Sequence, residues 1–230
     1  MRQEESFQHY NTFIQKNFPQ SFFLKQPEQS ARRFFSLVHG RVIFFDVILR
    51  NFQLDQNKLQ FLNVLNFNLV RLLYSVPTND DYIINFNFRT LIESVLKSLY
   101  FGLVFPENNN YNVQYRNLKD DLKASSIYSK YKDECDQMFN YYSEYSEELH
   151  QKKGVSVYPN SFLQDIMVNP PTISLEKRNA QIARMINFSE TIILDFPEVN
   201  LQELSGPDRY LLQNELGSKW FNSRFTIQNV

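Results

Sequence analysis

Two pairs of polar residues, each one helical turn apart, interrupt segments that are otherwise apolar or aromatic. Arg89 and Glu93 lie in FNFRTLIESVLKSLYF, and Ser146 and His150 lie in YYSEYSEELH. A histidine titrates near neutral pH and can transfer a proton when a carboxylate holds it. We therefore expect the two pairs to converge in one polar pocket, where His150 exchanges a proton. The alternative is a surface ion pair between Arg89 and Glu93, with His150 as a packing residue.

A second candidate site lies on the apolar segment FFSLVHGRVIFFDVIL and its flanks. At about 100° per residue, one side of this helix carries a polar stripe, formed by Arg32, Ser36, His39, Asp46 and Arg50. An unpaired buried charge is costly, so the stripe must face water or polar partners. Arg32 and His39 are the second choice for a catalytic pair, and exposure of the stripe to solvent is the alternative.

Composition narrows the function classes further. The single cysteine, Cys135, excludes an internal disulfide and fits a reducing compartment. The histidines and Cys135 have no metal-ligand spacing, and five glycines provide no phosphate-binding loop, so we expect neither metal nor cofactor. The net charge of −1 restricts any contact with nucleic acid to a local patch. No apolar run or leader indicates a membrane, which predicts a cytoplasmic protein.

Hydrophobic period and helix punctuation predict an all-α fold, a bundle of four to five long helices with short accessory helices. Residues 1–195 form the predicted helical bundle domain, and 196–230 form a C-terminal tail with one short helix at about Asp208 to Phe221. An irregular stretch is expected from Val155 to Thr172. The other predicted helices run from Glu5 to Asn17, Glu28 to Phe52, Asp55 to Ser75, Thr78 to Val104, Val113 to Lys123, Ser126 to Lys153 and Ser174 to Asp195.

The helix that carries Arg89-x-x-x-Glu93 resembles the hallmark helix of HEPN-like helical-bundle proteins, in particular an uncharacterised bacterial branch associated with phage defence. The late Ser146-x-x-x-His150, followed by a proline-containing loop and a long helix, is also similar to that branch. The resemblance covers about residues 30 to 195. It implies a bundle that dimerises and, in many members, a metal-independent ribonuclease that uses an Arg-x(4–6)-His motif.

That motif does not fit His150, because no arginine precedes it at the required spacing. Arg32-x6-His39 and Arg33-x5-His39 both fit, and the shared side of the helix favours Arg32 over Arg33.

The leading functional hypothesis is a HEPN-like protein of phage-defence or toxin context that cleaves RNA or binds RNA or a nucleotide. A histidine would move the 2′-hydroxyl proton, an arginine would stabilise charge on the phosphate, and Glu93 would orient either one. The alternative is a non-enzymatic protein–protein interaction module with a buried Arg/Glu/His network, and a third possibility is a small-ligand sensor with an aromatic pocket. The 22 Phe and 13 Tyr exceed what one core needs, which together with the resemblance predicts a homodimer.

Overall fold

The computed structural model describes residues 3–107, 113–150, 170–171 and 173–225, without the side chains of Glu148 and His150. Within these ranges 84% of the residues are helical and no strand occurs, which confirms the all-α prediction. Most of the irregular stretch predicted from Val155 to Thr172 lies outside the described residues.

Ten α-helices occur in the described part of the chain. They are α1 (Gln3–Asn17), α2 (Glu28–Asn51), α3 (Gln56–Thr78), α4 (Asp81–Leu99), α5 (Tyr115–Ala124), α6 (Ser126–Lys130), α7 (Lys132–His150), α8 (Leu175–Leu194), α9 (Gly206–Leu216) and α10 (Ser218–Phe225). Five of them (α2, α3, α4, α7 and α8) are long, as predicted. A π-turn (Tyr100–Val104) follows α4, and two 3₁₀ turns (Phe22–Lys25 and Leu201–Glu203) follow α1 and α8.

Side-chain caps determine where several helices begin. Asp55 accepts a hydrogen bond from the backbone N–H of Lys58 and so starts α3, and Asp80 accepts two such bonds at the start of α4. Ser174 and Ser205 cap α8 and α9 in the same way. Each cap satisfies a backbone donor that has no partner inside its helix.

Helix α3 continues through Pro77 to Thr78, although the sequence predicts its end at Ser75. Proline has no N–H and leaves the carbonyl of Leu73, four residues earlier, without its helical partner. The hydroxyl of Tyr10 donates to that carbonyl at 2.8 Å, and the hydroxyl of Ser21 donates to the carbonyl of Pro77. Side chains from α1 and the turn after it therefore satisfy the polar groups that the proline leaves open.

The long helices pack around α4, which contacts α3, α7 and α8, while α2 contacts α3, α8 and α9. Asp81 at the start of α4 forms an ion pair with Arg178 near the start of α8 at 2.7 Å. Gly102, just after α4, lies against the ring of Phe196, just after α8. Two contacts at matching ends show that α4 and α8 run parallel.

Helix α7 runs in the opposite direction. Tyr145, near the end of α7, donates to the side chain of Gln181 near the start of α8 at 2.7 Å. Tyr131, just before α7, donates to the carboxylate of Asp195 just after α8. Since α7 is antiparallel to α8, it is also antiparallel to α4.

One apolar core joins these helices and reaches into the tail. Phe34, Phe45, Phe88 and Phe101 are fully buried, and Leu212 of α9 is buried with them. The tail holds two helices, where the sequence predicts one, and α9 packs on α2. No helix in the described part of the chain is long and apolar enough to cross a membrane.

Candidate functional site

Arg89 lies where α4 crosses α7, and its partner there is a tyrosine. Its Nη2 donates to the hydroxyl of Tyr142 at 2.8 Å, and the guanidinium carbon lies 5.0 Å from the centre of the same ring. The ring of Tyr115 stacks on Tyr142 with centroids 3.4 Å apart and planes 8° apart. Arg89 therefore closes a layered contact between α4, α5 and α7.

Glu93 does not form the predicted pair with Arg89. Its carboxylate forms an ion pair with Lys97, one turn later, at 2.8 Å. Burial raises the pKa of the Tyr115 hydroxyl, and the nearby Tyr142 and Glu93 raise it further. The Tyr115 hydroxyl therefore stays protonated at neutral pH and acts as a structural group.

The antiparallel packing also separates Glu93 from the end of α7. Arg89 and Tyr142 are level with each other, Glu93 lies four residues further along α4, and His150 lies eight residues further along α7. At 1.5 Å per residue the two diverge by about 18 Å along the helix axes. The side chain of His150 lies outside the described residues, and the Ser146 hydroxyl is buried without a hydrogen-bond partner among the described residues.

On α2, the second-choice arginine is held by two carboxylates. Arg32 forms an ion pair with Glu28 one turn earlier at 2.5 Å and another with Glu4 of α1. Its guanidinium lies 4.5 Å from the centre of the Phe7 ring. The hydrogen bond from Arg32 lowers the pKa of the Glu4 carboxyl. Arg32 therefore ties α1 to α2.

His39, the other member of that pair, faces the tail. Its Nδ1 lies 3.2 Å from the carboxylate of Glu215 on α9, and its ring stacks on Phe35 with centroids 4.7 Å apart. The Glu215 side chain is only 4% exposed, whereas the His39 side chain is 23% exposed. Phe35 therefore covers one face of the imidazole, and the Glu215 carboxylate lies beside Nδ1 without meeting the geometry of a hydrogen bond.

An open pocket of about 290 Å³ lies between α2 and the end of α9. Its walls include basic, acidic, polar and apolar side chains, among them Arg33, Ser36, Leu37, Arg41, Glu215 and Leu216. The pocket forms where the two helices come close: a Cβ added at Gly40 would lie 3.0 Å from the backbone carbonyl oxygen of Glu215. Glycine at this position lets α9 approach α2 closely enough to set Glu215 beside His39.

Of the two arginines that have the required spacing to His39, Arg33 lines this pocket, although wheel position favours Arg32. Arg33 is exposed and forms no ion pair with any described residue. A helical wheel compares only residues of one helix. It therefore does not show that Glu4 of α1 forms an ion pair with Arg32. Of the pair Arg33-x5-His39, Arg33 lines the pocket, and His39 contacts Glu215, which lines the same pocket.

Glu190 is a buried carboxylate that contacts three side chains and that the sequence pattern did not predict as part of a site. Glu190 of α8 forms an ion pair with Arg41 at 2.8 Å, and it accepts hydrogen bonds from Trp220 at 2.7 Å and Arg224 at 3.1 Å. Burial lowers the pKa of the Arg41 guanidinium, and the Glu190 carboxylate partly offsets this. The available signal was a lone acidic residue in the apolar run INFSETIIL.

The described residues offer neither a metal-binding cluster nor an activated thiol. They contain no group of three or more His, Cys, Asp or Glu side chains that could hold a metal ion. Burial raises the pKa of the Cys135 thiol to about 12, and neighbouring acidic residues add to the shift. The thiol is therefore protonated at neutral pH and is not an activated nucleophile.

Comparison of the chain with protein-family models, curated proteins and solved structures finds no match. The region around Arg89 and the pocket beside α2 must therefore be compared as candidate sites by their own chemistry. The Arg89 region is a clamp of stacked rings between helices. The pocket beside α2 is open and carries Arg33, which has no ion-pair partner among the described residues, and Glu215, which lies beside His39. A guanidinium next to open space can bind an anionic ligand.

Proposed function

We propose that this chain is a cytoplasmic HEPN-like protein of phage-defence or toxin type, and that the pocket beside α2 binds the phosphate of RNA or of a nucleotide. The observation that carries the proposal is the position of Arg33, an exposed arginine without an ion-pair partner among the described residues, on the pocket that also holds Glu215. A guanidinium offers a phosphate two parallel hydrogen bonds.

His39 lies beside Glu215, a residue of the pocket wall, and is the candidate to move a proton there. Its Nδ1 faces the Glu215 carboxylate, so its Nε2 is the nitrogen left for a ligand. In RNA cleavage, Nε2 would accept the proton of the attacking 2′-hydroxyl or donate a proton to the leaving 5′-oxygen. Arg33 would stabilise the charge that grows on the phosphate. These steps require only side chains of this chain.

The test is cleavage of a labelled single-stranded RNA in the presence of excess chelator. We expect cleavage by the unaltered protein and a loss of about 10²- to 10⁴-fold in His39→Ala, the contribution typical of one general acid–base group. Arg33→Ala should weaken RNA binding about tenfold and reduce the salt dependence of binding by about one phosphate contact. Arg116→Ala is the matched control, because Arg116 is equally exposed but lies on α5.

The outcomes separate binding from catalysis. RNA binding that depends on Arg33 without any cleavage would keep the pocket as a binding site and remove the nuclease role. Equal RNA affinity of Arg33→Ala and Arg116→Ala, or no binding of RNA or nucleotides by the unaltered protein at low salt, would overturn the proposal.

A second candidate function is protein–protein interaction, and the surface of α3 favours it. One side of α3 is exposed to solvent from residue 60 to residue 74. We call it the α3 outer face, and it consists of Gln60, Asn63, Val64, Phe67, Val70, Arg71 and Tyr74. Phe67 and Tyr74 are 57% and 56% exposed. α3 carries only two charged residues, Lys58, which is buried in ion pairs, and Arg71. Few charges, with aromatic residues and an arginine, are typical of a protein interface.

A further inference from the structure

We propose that the α3 outer face binds the same face of a second copy of this chain, with the two α3 helices antiparallel and a two-fold axis at Phe67. The proposal rests on the second candidate function, that this face binds protein, and not on the phosphate pocket. Phe67 is the middle residue of α3 (Gln56–Thr78). A two-fold axis there brings together residues that are equally distant from Phe67 along the two helices.

The residues that would meet are chemically matched. Val64 would face Val70, Gln60 would face Tyr74, and the two Phe67 rings would meet at the axis. Apolar residues thus face apolar residues at the centre, and polar groups lie towards the ends of the contact. An interface with an apolar centre and a polar rim has this distribution.

The charge on the face determines the direction of pairing. In the antiparallel arrangement Arg71 faces Asn63, and the two Arg71 residues lie about 12 Å apart along the axes. The Asn63 amide nitrogen already donates to the carbonyl of Leu59 at 2.9 Å, so its side-chain oxygen is oriented outward to accept from Arg71. A parallel pairing in register would place Arg71 on Arg71. Like charges disfavour it.

The size of the face suits a dimer. α3 has 23 residues and is therefore about 34 Å long. α4 packs beside α3, with a hydrogen bond from Asn68 to Ser94 at 2.8 Å, and α4 carries two further exposed apolar residues, Ile83 and Phe86. Packed helices lie about 10 Å apart, and a stable interface buries roughly 800 Å² per copy, so contact along most of α3 is required.

Disulfide cross-linking tests both the pairing and its direction. Phe67→Cys places a thiol on the two-fold axis, whereas Tyr74→Cys places one at the same exposure but about 21 Å from its copy along the axes. We expect mild oxidation to cross-link Phe67→Cys into dimers and to leave Tyr74→Cys monomeric on a non-reducing gel. Cys135 does not compete, because it is buried and its pKa is raised to about 12.

Light scattering gives an independent readout on the chain without added cysteines. We expect twice the chain mass of 27.5 kDa, and a return to the single mass in Phe67→Glu with an unchanged circular dichroism spectrum. Cross-linking of Tyr74→Cys as efficient as that of Phe67→Cys would overturn the antiparallel register. A monomer with neither variant cross-linked would overturn self-pairing, and if Phe67→Glu then abolished binding of a different protein, the second candidate function would survive it.

Discussion

At the scale of single residues, Glu190 shows how strongly one buried group depends on its partners. Its side chain is 3% exposed, and α2 and α10 both send donors to it. A carboxylate in such a position is tolerated because Trp220 and Arg224 donate hydrogen bonds to one of its oxygens and Arg41 forms an ion pair with the other. Arg41 is buried by the same contact, so each of the two charged groups is stabilised in the interior by the other.

Replacement of Glu190 should therefore destabilise the fold strongly. In Glu190→Ala the guanidinium of Arg41 loses its ion pair while still buried, and we expect the free energy of unfolding to fall by about 3–5 kcal/mol. The measurement is urea unfolding followed by circular dichroism.

The matched control is Asp46→Ala, which also removes a carboxylate that pairs with an arginine. The pair between Asp46 and Arg50 is half exposed, so its loss should change the free energy of unfolding by less than about 1 kcal/mol. Similar losses in the two variants would show that the Glu190 cluster is effectively solvated.

At the scale of the elements, the π-turn after α4 is a point of close approach. Tyr100–Val104 wraps around Gly102, and a Cβ added at Gly102 would lie 2.4 Å from the ring of Phe196. Phe196 is itself buried. The turn can pack against the end of α8 in this way only because residue 102 has no side chain.

We expect Gly102→Ala to lower the free energy of unfolding by about 1–3 kcal/mol, the usual effect of forcing extra volume into a packed site. Thermal unfolding measures the change. Gly206→Ala is the control: nothing lies within 4 Å of its added Cβ, and it begins α9, so we expect no loss or a gain of up to about 1 kcal/mol. Equal destabilisation by the two variants would exclude the Phe196 contact as the cause.

At the scale of the whole molecule, the tail helices are tied to the bundle by apolar and polar contacts. Leu212 is buried in the common core, Glu215 faces His39, and Trp220 bonds Glu190. Trp220 is the only tryptophan in the chain, so its fluorescence reports on the tail alone.

Unfolding of the tail and of the bundle should consequently coincide. We expect the urea transitions of Trp220 fluorescence and of far-ultraviolet circular dichroism to overlap as one cooperative step. Leu212→Ala should lower the free energy of unfolding by about 2–5 kcal/mol and move both transitions to lower urea concentration. Tyr210→Ala, at an exposed position on the same helix, should shift neither. A fluorescence change that precedes loss of helix would instead make the tail an independent unit.

The sequence by itself determined the local level of this structure. The all-α class and the starts of the helices follow from apolar period and from caps such as Asp80 and Ser174, because these signals act within one turn. The helix at Pro77 escaped the sequence pattern, since the group that accommodates it, Tyr10, lies on another helix.

Only the tertiary structure decided which polar residues meet. A helical wheel gives the direction of a side chain around its own axis, but neither the direction of the neighbouring helix nor its axial position. Because α7 packs antiparallel to α4, Arg89 forms a hydrogen bond with Tyr142, and Glu93 lies far from the end of α7. Likewise His39 found its carboxylate at Glu215, far along the chain, because burial of the apolar face of α9 brought it there.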